Sequence, residues 1–127
     1  MASLIDRMLR ITLTATYPLL RRRARQRPGV HAIALTPERL MILVRLRYAP
    51  GWRLPGGGRG PEEGIDEAVL RELREEIGMT SHGTVRPSLT GSDPVMIVED
   101  VHYRRPRWSW EVEDILEAPL DALPSDL

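Results

Sequence analysis

The sequence predicts a mixed α/β domain, residues 28–127, preceded by a helical and basic N-terminal segment, residues 1–27. Three observations carry that expectation. Ile65–Ile77 has the apolar spacing of an amphipathic helix, short apolar runs bounded by Gly and Pro flank it on both sides, and 127 residues suit one modest core. Strands on both sides of a central helix point to a sheet with helices packed on it.

Taken in order, Ser3–Arg25 carries Leu4, Met8, Ile11 and Ala15 at helical spacing, with Ser3 as a possible cap and Pro18 as a kink. The polar interruptions and the lack of a cleavage site favour a structural helix over a targeting peptide. Its apolar stripe would be a liability if left open, so the helix is expected to cover sheet surface or to mediate a homodimer. Val30–Leu35 and Leu40–Arg47 read as two strands joined by the turn Thr36–Arg39. Arg45 and Arg47 alternate with Val44 and Leu46, which makes one strand face polar or functional. Tyr48–Trp52 is a turn, and the glycine- and proline-rich run Arg53–Gly64 predicts irregular structure. Gly78 closes the central helix. Val85–Leu89, Val95–Tyr103 and Arg107–Val112 are the remaining candidate strands, and 118–127 reads as turns.

The composition narrows the function. With 42% hydrophobic and 28% charged residues the chain has a globular profile, and no apolar run approaches the roughly 20 residues needed to span a bilayer. Cysteine is absent, which excludes disulfides, thiolate metal sites and cysteine nucleophiles and is compatible with a reducing, cytoplasmic location. All 18 basic residues are arginine, and five crowd into Leu19–Arg27. One basic patch on a chain of zero net charge is weak support for nucleic-acid binding, which is not expected. His31, His82 and His102 are isolated and read as surface or packing residues.

On a wheel of about 100° per residue, Val69, Leu70, Leu73 and Ile77 form the core arc, with Ile65 at its edge. Arg71, Glu67 and Arg74 fall on the far side. Glu72, Glu75 and Glu76 form a third arc that meets the core edge at Glu76. Like charges at three- and four-residue spacing repel, the more so where water is scarce. Arg71 can offset some of this through i,i+4 pairs with Glu67 and Glu75. A divalent cation is the alternative, since Mg²⁺ is held by a few carboxylates, water and substrate phosphates. Gly56, Gly57 and Gly58, just upstream, let backbone approach a ligand closely.

Gly57–Met79 resembles the Nudix box. Five residues after Gly57 comes Glu63; seven more lead to Arg71 and Glu72, then Leu73, Arg74, Glu75, Glu76, Ile77, Gly78 and Met79, and every specified position agrees. The preceding Gly51–Gly58 and the closing Glu111–Pro124 also fit the family, with Asp114 where glutamate is commoner and Glu62 where glycine is common. The resemblance implies an α/β/α sandwich around a mixed β-sheet. It implies metal-dependent hydrolysis, with Mg²⁺ or Mn²⁺, of a nucleoside diphosphate linked to another group. Carried over by position, Glu72, Glu75 and Glu76 bind metal or orient the attacking water, Gly56 offers its carbonyl to a metal, and Glu63 pairs with Arg71 to brace the loop. A further carboxylate is expected from Glu99, Asp100, Glu111, Glu113 or Asp114, with Glu111 favoured because it opens the closing pattern. Arg45, Arg47 and Arg53, with Gly57 and Gly58, are candidates for the substrate, and Tyr48, Trp108 and Trp110 for stacking. Substrates in view are an ADP-ribose-like molecule, to which Pro94 gives slight support, or a nucleoside triphosphate. The alternatives are a catalytically silent nucleotide-binding or regulatory domain and an RNA-associated protein; intact box glutamates count against the first, and only the arginine cluster suggests the second.

Overall fold

The computed structural model describes residues 29–89 and 94–127, so the expected helix at Ser3–Arg25 lies outside the described residues. The elements run β1 Gly29–Ala34, β2 Met41–Leu46, β3 Trp52–Arg53, β4 Gly56–Gly58, α1 Ile65–Ile77, β5 Met79–Ser81, β6 Val85–Leu89, β7 Val95–Val98, β8 His102–Tyr103 and β9 Val112–Ala118. The strands form a mixed four-stranded sheet, β4-β1-β7-β6, a three-stranded sheet, β3-β2-β9, and the pair β5-β8. Only β1 and β7 pair in parallel; the other ladders are antiparallel. The architecture is the expected mixed α/β class, with α1 the sole helix among the described residues.

The reading of 36–39 as a turn holds, but the strands it joins do not make a hairpin. Thr36 and Leu40 close the turn, with Leu40 N–H donating to Thr36 Oγ1 at 3.1 Å. A single bridge between Leu35 and Met41 follows, after which β1 and β2 enter different sheets. Both strands carry more apolar surface than one face can bury. Val30, Ala32, Ile42 and Val44 pack under α1, while Leu35, Met41 and Leu43 join Ala118 in a second cluster.

Three expectations are corrected. The glycine run is not irregular throughout: Gly56–Gly58 pairs antiparallel with Gly29–His31 as β4. Only a backbone without Cβ can lie there, because a Cβ on Gly56 would collide with the Val30 carbonyl oxygen. Val95–Tyr103 is two strands, β7 and β8, interrupted at Asp100, whose φ of 55° is left-handed. Arg107–Val112 is a loop, and the strand begins where it was expected to end, at Val112.

α1 matches its periodicity. Asp66 and Glu67 occupy its first turn and Arg74 its last, the favourable sense for the helix dipole. Gly78, at φ 74°, returns its N–H to the Arg74 carbonyl at 3.2 Å and stops the helix. Ala68, Val69, Leu73 and Ile77 are buried against both larger sheets. Glu72 and Glu76 are buried with them, at the edge beside β4.

Candidate functional site

The helix edge and the glycine strand meet in a fixed way. Gly56 N–H donates to Glu76 Oε1 at 2.9 Å. A Cβ on Gly57 would stand 2.6 Å from Glu72 Oε1, so this glycine is what allows the Glu72 carboxylate to lie against the strand. The 13-residue helix presents Glu72 and Glu76 one turn apart, 9% and 5% exposed, while Glu75 points to solvent.

Arg71 holds the acidic cluster together. Its Nε and Nη2 donate to the two Glu63 oxygens at 2.7 and 2.9 Å, its Nη1 to Glu72 at 2.9 Å and Glu75 at 3.3 Å, and its Nη2 also to the Gly58 carbonyl at 2.9 Å. Glu63 Oε1 accepts Gly60 N–H at 3.1 Å, which fastens the loop to the helix. The wheel put Arg71 on the solvated side; bidentate pairing draws it over the loop instead. Those bonds, Arg71 first and Gly60 second, hold the Glu63 carboxyl down at about 2. The surrounding carboxylates, Glu63 first, raise the Arg71 guanidinium further above its ordinary value.

Glu63 accordingly makes the brace acid-sensitive. Its folded pKa lies below the ordinary 4.5, so its stabilising contribution is complete above that value and is lost as pH falls toward about 2. The Tm difference between the wild type and Glu63→Gln should narrow from about pH 6 to about pH 3. A difference that stays constant over that range would contradict the assignment.

Glu76 and Glu111 lack such an offset. Burial, then the charge of Glu72, pushes the Glu76 carboxyl well above the usual range, with Glu111 adding to the effect and the Gly56 N–H opposing it. Glu111 is exposed at the surface yet crowded by surrounding protein. This partial desolvation and the charges of Glu72 and Glu75 raise it too.

These groups line a cavity of about 870 Å³. Among the described residues Glu63, Glu72, Glu75, Glu76 and Glu111 face it against one guanidinium, Arg71, with Gly56, Gly57 and Gly58 along one side. Among the described residues no three acidic or imidazole side chains close on a single point as a finished ion cage. The donor set nevertheless fits a hard divalent cation: carboxylate oxygens are crowded, partly dehydrated and under-neutralised.

The structure does not bring every expected residue to the cavity. Arg45 stacks over Trp52, with its guanidinium carbon 4.3 Å from the ring centroid. Arg47 runs under the loop 104–111, where Nε donates to the Ser109 carbonyl at 3.0 Å. Arg53 is exposed and, like the other two, does not line this cavity. Glu99 pairs with Arg86 at 3.1 Å and Asp114 with Arg105 at 3.0 Å, and Asp100 and Glu113 also lie outside the lining. Tyr48, Trp108 and Trp110 do line it. Leu46, Gly60 and Ser109 line it as well and were not singled out in the sequence. Gly60 lies inside the box at an unspecified position, while nothing local marks the other two.

Similarity to known proteins agrees with this geometry. A protein of Bacillus subtilis (strain 168) provisionally named an 8-oxo-dGTP diphosphatase is 40% identical over 50 residues, covering 39% of this chain and 34% of that one. An RNA pyrophosphohydrolase of Hydrogenovibrio crunogenus (strain DSM 25203 / XCL-2) is 31% identical over 85 residues, covering 63% of this chain and 50% of its own. The alignments thus span between a third and a half of these relatives. The crystal structure of a MutT NUDIX hydrolase from Burkholderia pseudomallei superposes with a TM-score of 0.60 at 26% identity, over 80% of this chain and 88% of that one. The family model for the NUDIX domain matches residues 25–118, across the sheets, the glycine strand and the acidic helix, and the chain belongs to that family.

Proposed function

We propose that the protein is a metal-dependent diphosphatase that hydrolyses a phosphoric anhydride in a nucleoside diphosphate derivative. The observation that carries this reading is the charge of the cavity: among the described residues, five carboxylates against one guanidinium, beside a strand of three glycines. Such a wall repels a polyphosphate unless cations intervene, and it has no evident use in binding a neutral ligand. A bound Mg²⁺ or Mn²⁺ would neutralise phosphate charge and make water a better nucleophile.

The chain's own residues have distinct parts in this reading. Glu72, Glu76 and Glu111 would hold the cation, with Glu75 at the solvent side and the Gly56 carbonyl as a further oxygen donor. A carboxylate of the same group would accept the proton of the attacking water. Gly57 and Gly58 leave room for phosphate oxygens near backbone, and the Arg71–Glu63 pair keeps the wall in place while charge shifts. No serine or histidine nucleophile is required.

The names of the relatives support two substrate types, an oxidised nucleoside triphosphate and an RNA, and Pro94 keeps ADP-ribose beside them. The decisive experiment is a panel of these substrates with Mg²⁺ or Mn²⁺, run in ¹⁸O-labelled water. Label should enter a phosphoryl product, and chelation with EDTA should abolish turnover. ADP-ribose should yield AMP and ribose 5-phosphate, and a triphosphate a monophosphate and pyrophosphate. Label on a sugar hydroxyl, or turnover that survives chelation, would overturn the reading.

A further inference from the structure

Trp108 and Trp110 are the two exposed tryptophans among the described residues, at 45% and 59%. A structural role in packing does not account for surface of that kind. The two rings meet edge to face, with centroids 4.7 Å apart and planes at 72°, so the edge-on ring keeps both faces clear of its neighbour. Both line the cavity that holds the carboxylates.

Their loop is held firmly although it is not a strand. Arg47 grips it twice, through Nε to the Ser109 carbonyl at 3.0 Å and through its backbone N–H to the Glu111 carbonyl at 2.8 Å. Val112 N–H donates to Ser109 Oγ at 3.1 Å, so the residue between the tryptophans is fastened on two sides. The aromatic pair is therefore preorganised at one side of a cavity whose other wall is acidic.

We propose that Trp108 and Trp110 form a stacking platform for the nucleobase of the substrate, with Arg47 as the positioning residue that sets its height over the carboxylates. This rests on the diphosphatase reading and adds the mode of base recognition. A cavity of about 870 Å³ lies within the roughly 300–1,000 Å³ usual for small-molecule sites, so base and phosphates can share it. The acidic wall attracts the cation-bearing phosphate end, and the neutral aromatic end takes the planar base. Stacking is tolerant of base identity, because every base has a π-face. The platform therefore selects for a base being present more than for which base it is. The base can belong to a free nucleotide or to the first residue of an RNA 5′ end.

Binding and turnover test this separately. In the intact protein with Mg²⁺, AMP should quench tryptophan fluorescence at concentrations where ribose 5-phosphate does not. The residual emission of Trp52 in the double variant Trp108→Ala/Trp110→Ala should not respond. In turnover, the preference for a nucleoside triphosphate over base-free tripolyphosphate, as a ratio of kcat/KM values, should fall about tenfold or more in the double variant. Trp108→Phe/Trp110→Phe should recover most of the preference. Arg47→Ala should lower the same ratio, whereas a merely structural role would depress both substrates alike. Comparing KM for a free triphosphate with that for a 5′-triphosphorylated oligonucleotide identifies the source of the base. Equal responses to AMP and ribose 5-phosphate, or an unchanged ratio in the double variant, would overturn the platform. If no substrate is hydrolysed, the diphosphatase reading fails, and the fluorescence result still decides whether the pair binds a base.

Discussion

Glu76→Gln and Glu72→Gln are each expected to lower kcat/KM by about 10²-fold or more, the scale for removing a positioned acid–base group. Shape is nearly conserved in both. In Glu76→Gln the new amide oxygen would still accept the Gly56 N–H that Glu76 accepts at 2.9 Å. What disappears is one buried negative charge from a group that already repels its neighbours Glu72 and Glu111. In metal-free protein the Tm of Glu76→Gln should therefore equal or exceed that of the wild type. The Tm of Glu72→Gln should lie slightly below that of Glu76→Gln, because Arg71 Nη1 donates to the Glu72 carboxylate at 2.9 Å. Added Mg²⁺ should raise the wild-type Tm more than that of either variant, as a ligand bound only by the folded state must. Turnover near the wild-type rate in both purified variants would remove these carboxylates from the reaction.

Replacing Gly56 with alanine should be the more damaging of two neighbouring glycine substitutions. A Cβ at Gly56 meets the backbone of Val30, and β1 is buried in the core and cannot withdraw. The substitution must separate β4 from β1 and displace the N–H that Glu76 accepts. We expect a cost of about 1–3 kcal/mol, as for overpacking a well-filled interior, together with loss of most activity. Gly57→Ala behaves differently. Its Cβ meets the Glu72 carboxylate, at 2.6 Å from Oε1, which is the end of a side chain and can move. Folding should survive, but the carboxylate is pushed out of place, and misplacement by about 1 Å can cost 10²-fold in rate. Thermal melts and turnover of the two variants distinguish them. A Gly56→Ala protein as stable as the wild type would contradict the close approach of β4 and β1.

α1 was fully legible in the sequence, from Ile65 to Ile77, because a helix is written in near neighbours: a period of 3.6, acidic residues at its start and a glycine at its end. The box spacing also identified the glycine run and the helix acids as parts of one unit. What those local patterns could not say is which groups would share a cavity. The wheel placed Glu76 at the core edge, but its burial depends on β4 lying against it. β4 itself was missed, since three glycines have no preference for a strand until Gly29–His31 offers partners. The reading of Arg45 and Arg47 as a polar or functional face could not name their partners, Trp52 and the Ser109 carbonyl, the latter 62 positions away from Arg47. Glu111 and the tryptophan pair line the cavity on a loop that Arg47 fastens to the end of β2. Helix formation depends on residues within a few positions of one another. Strand pairing, charge burial and the partners of a long arginine are settled by competition among distant groups, which only the folded chain brings together.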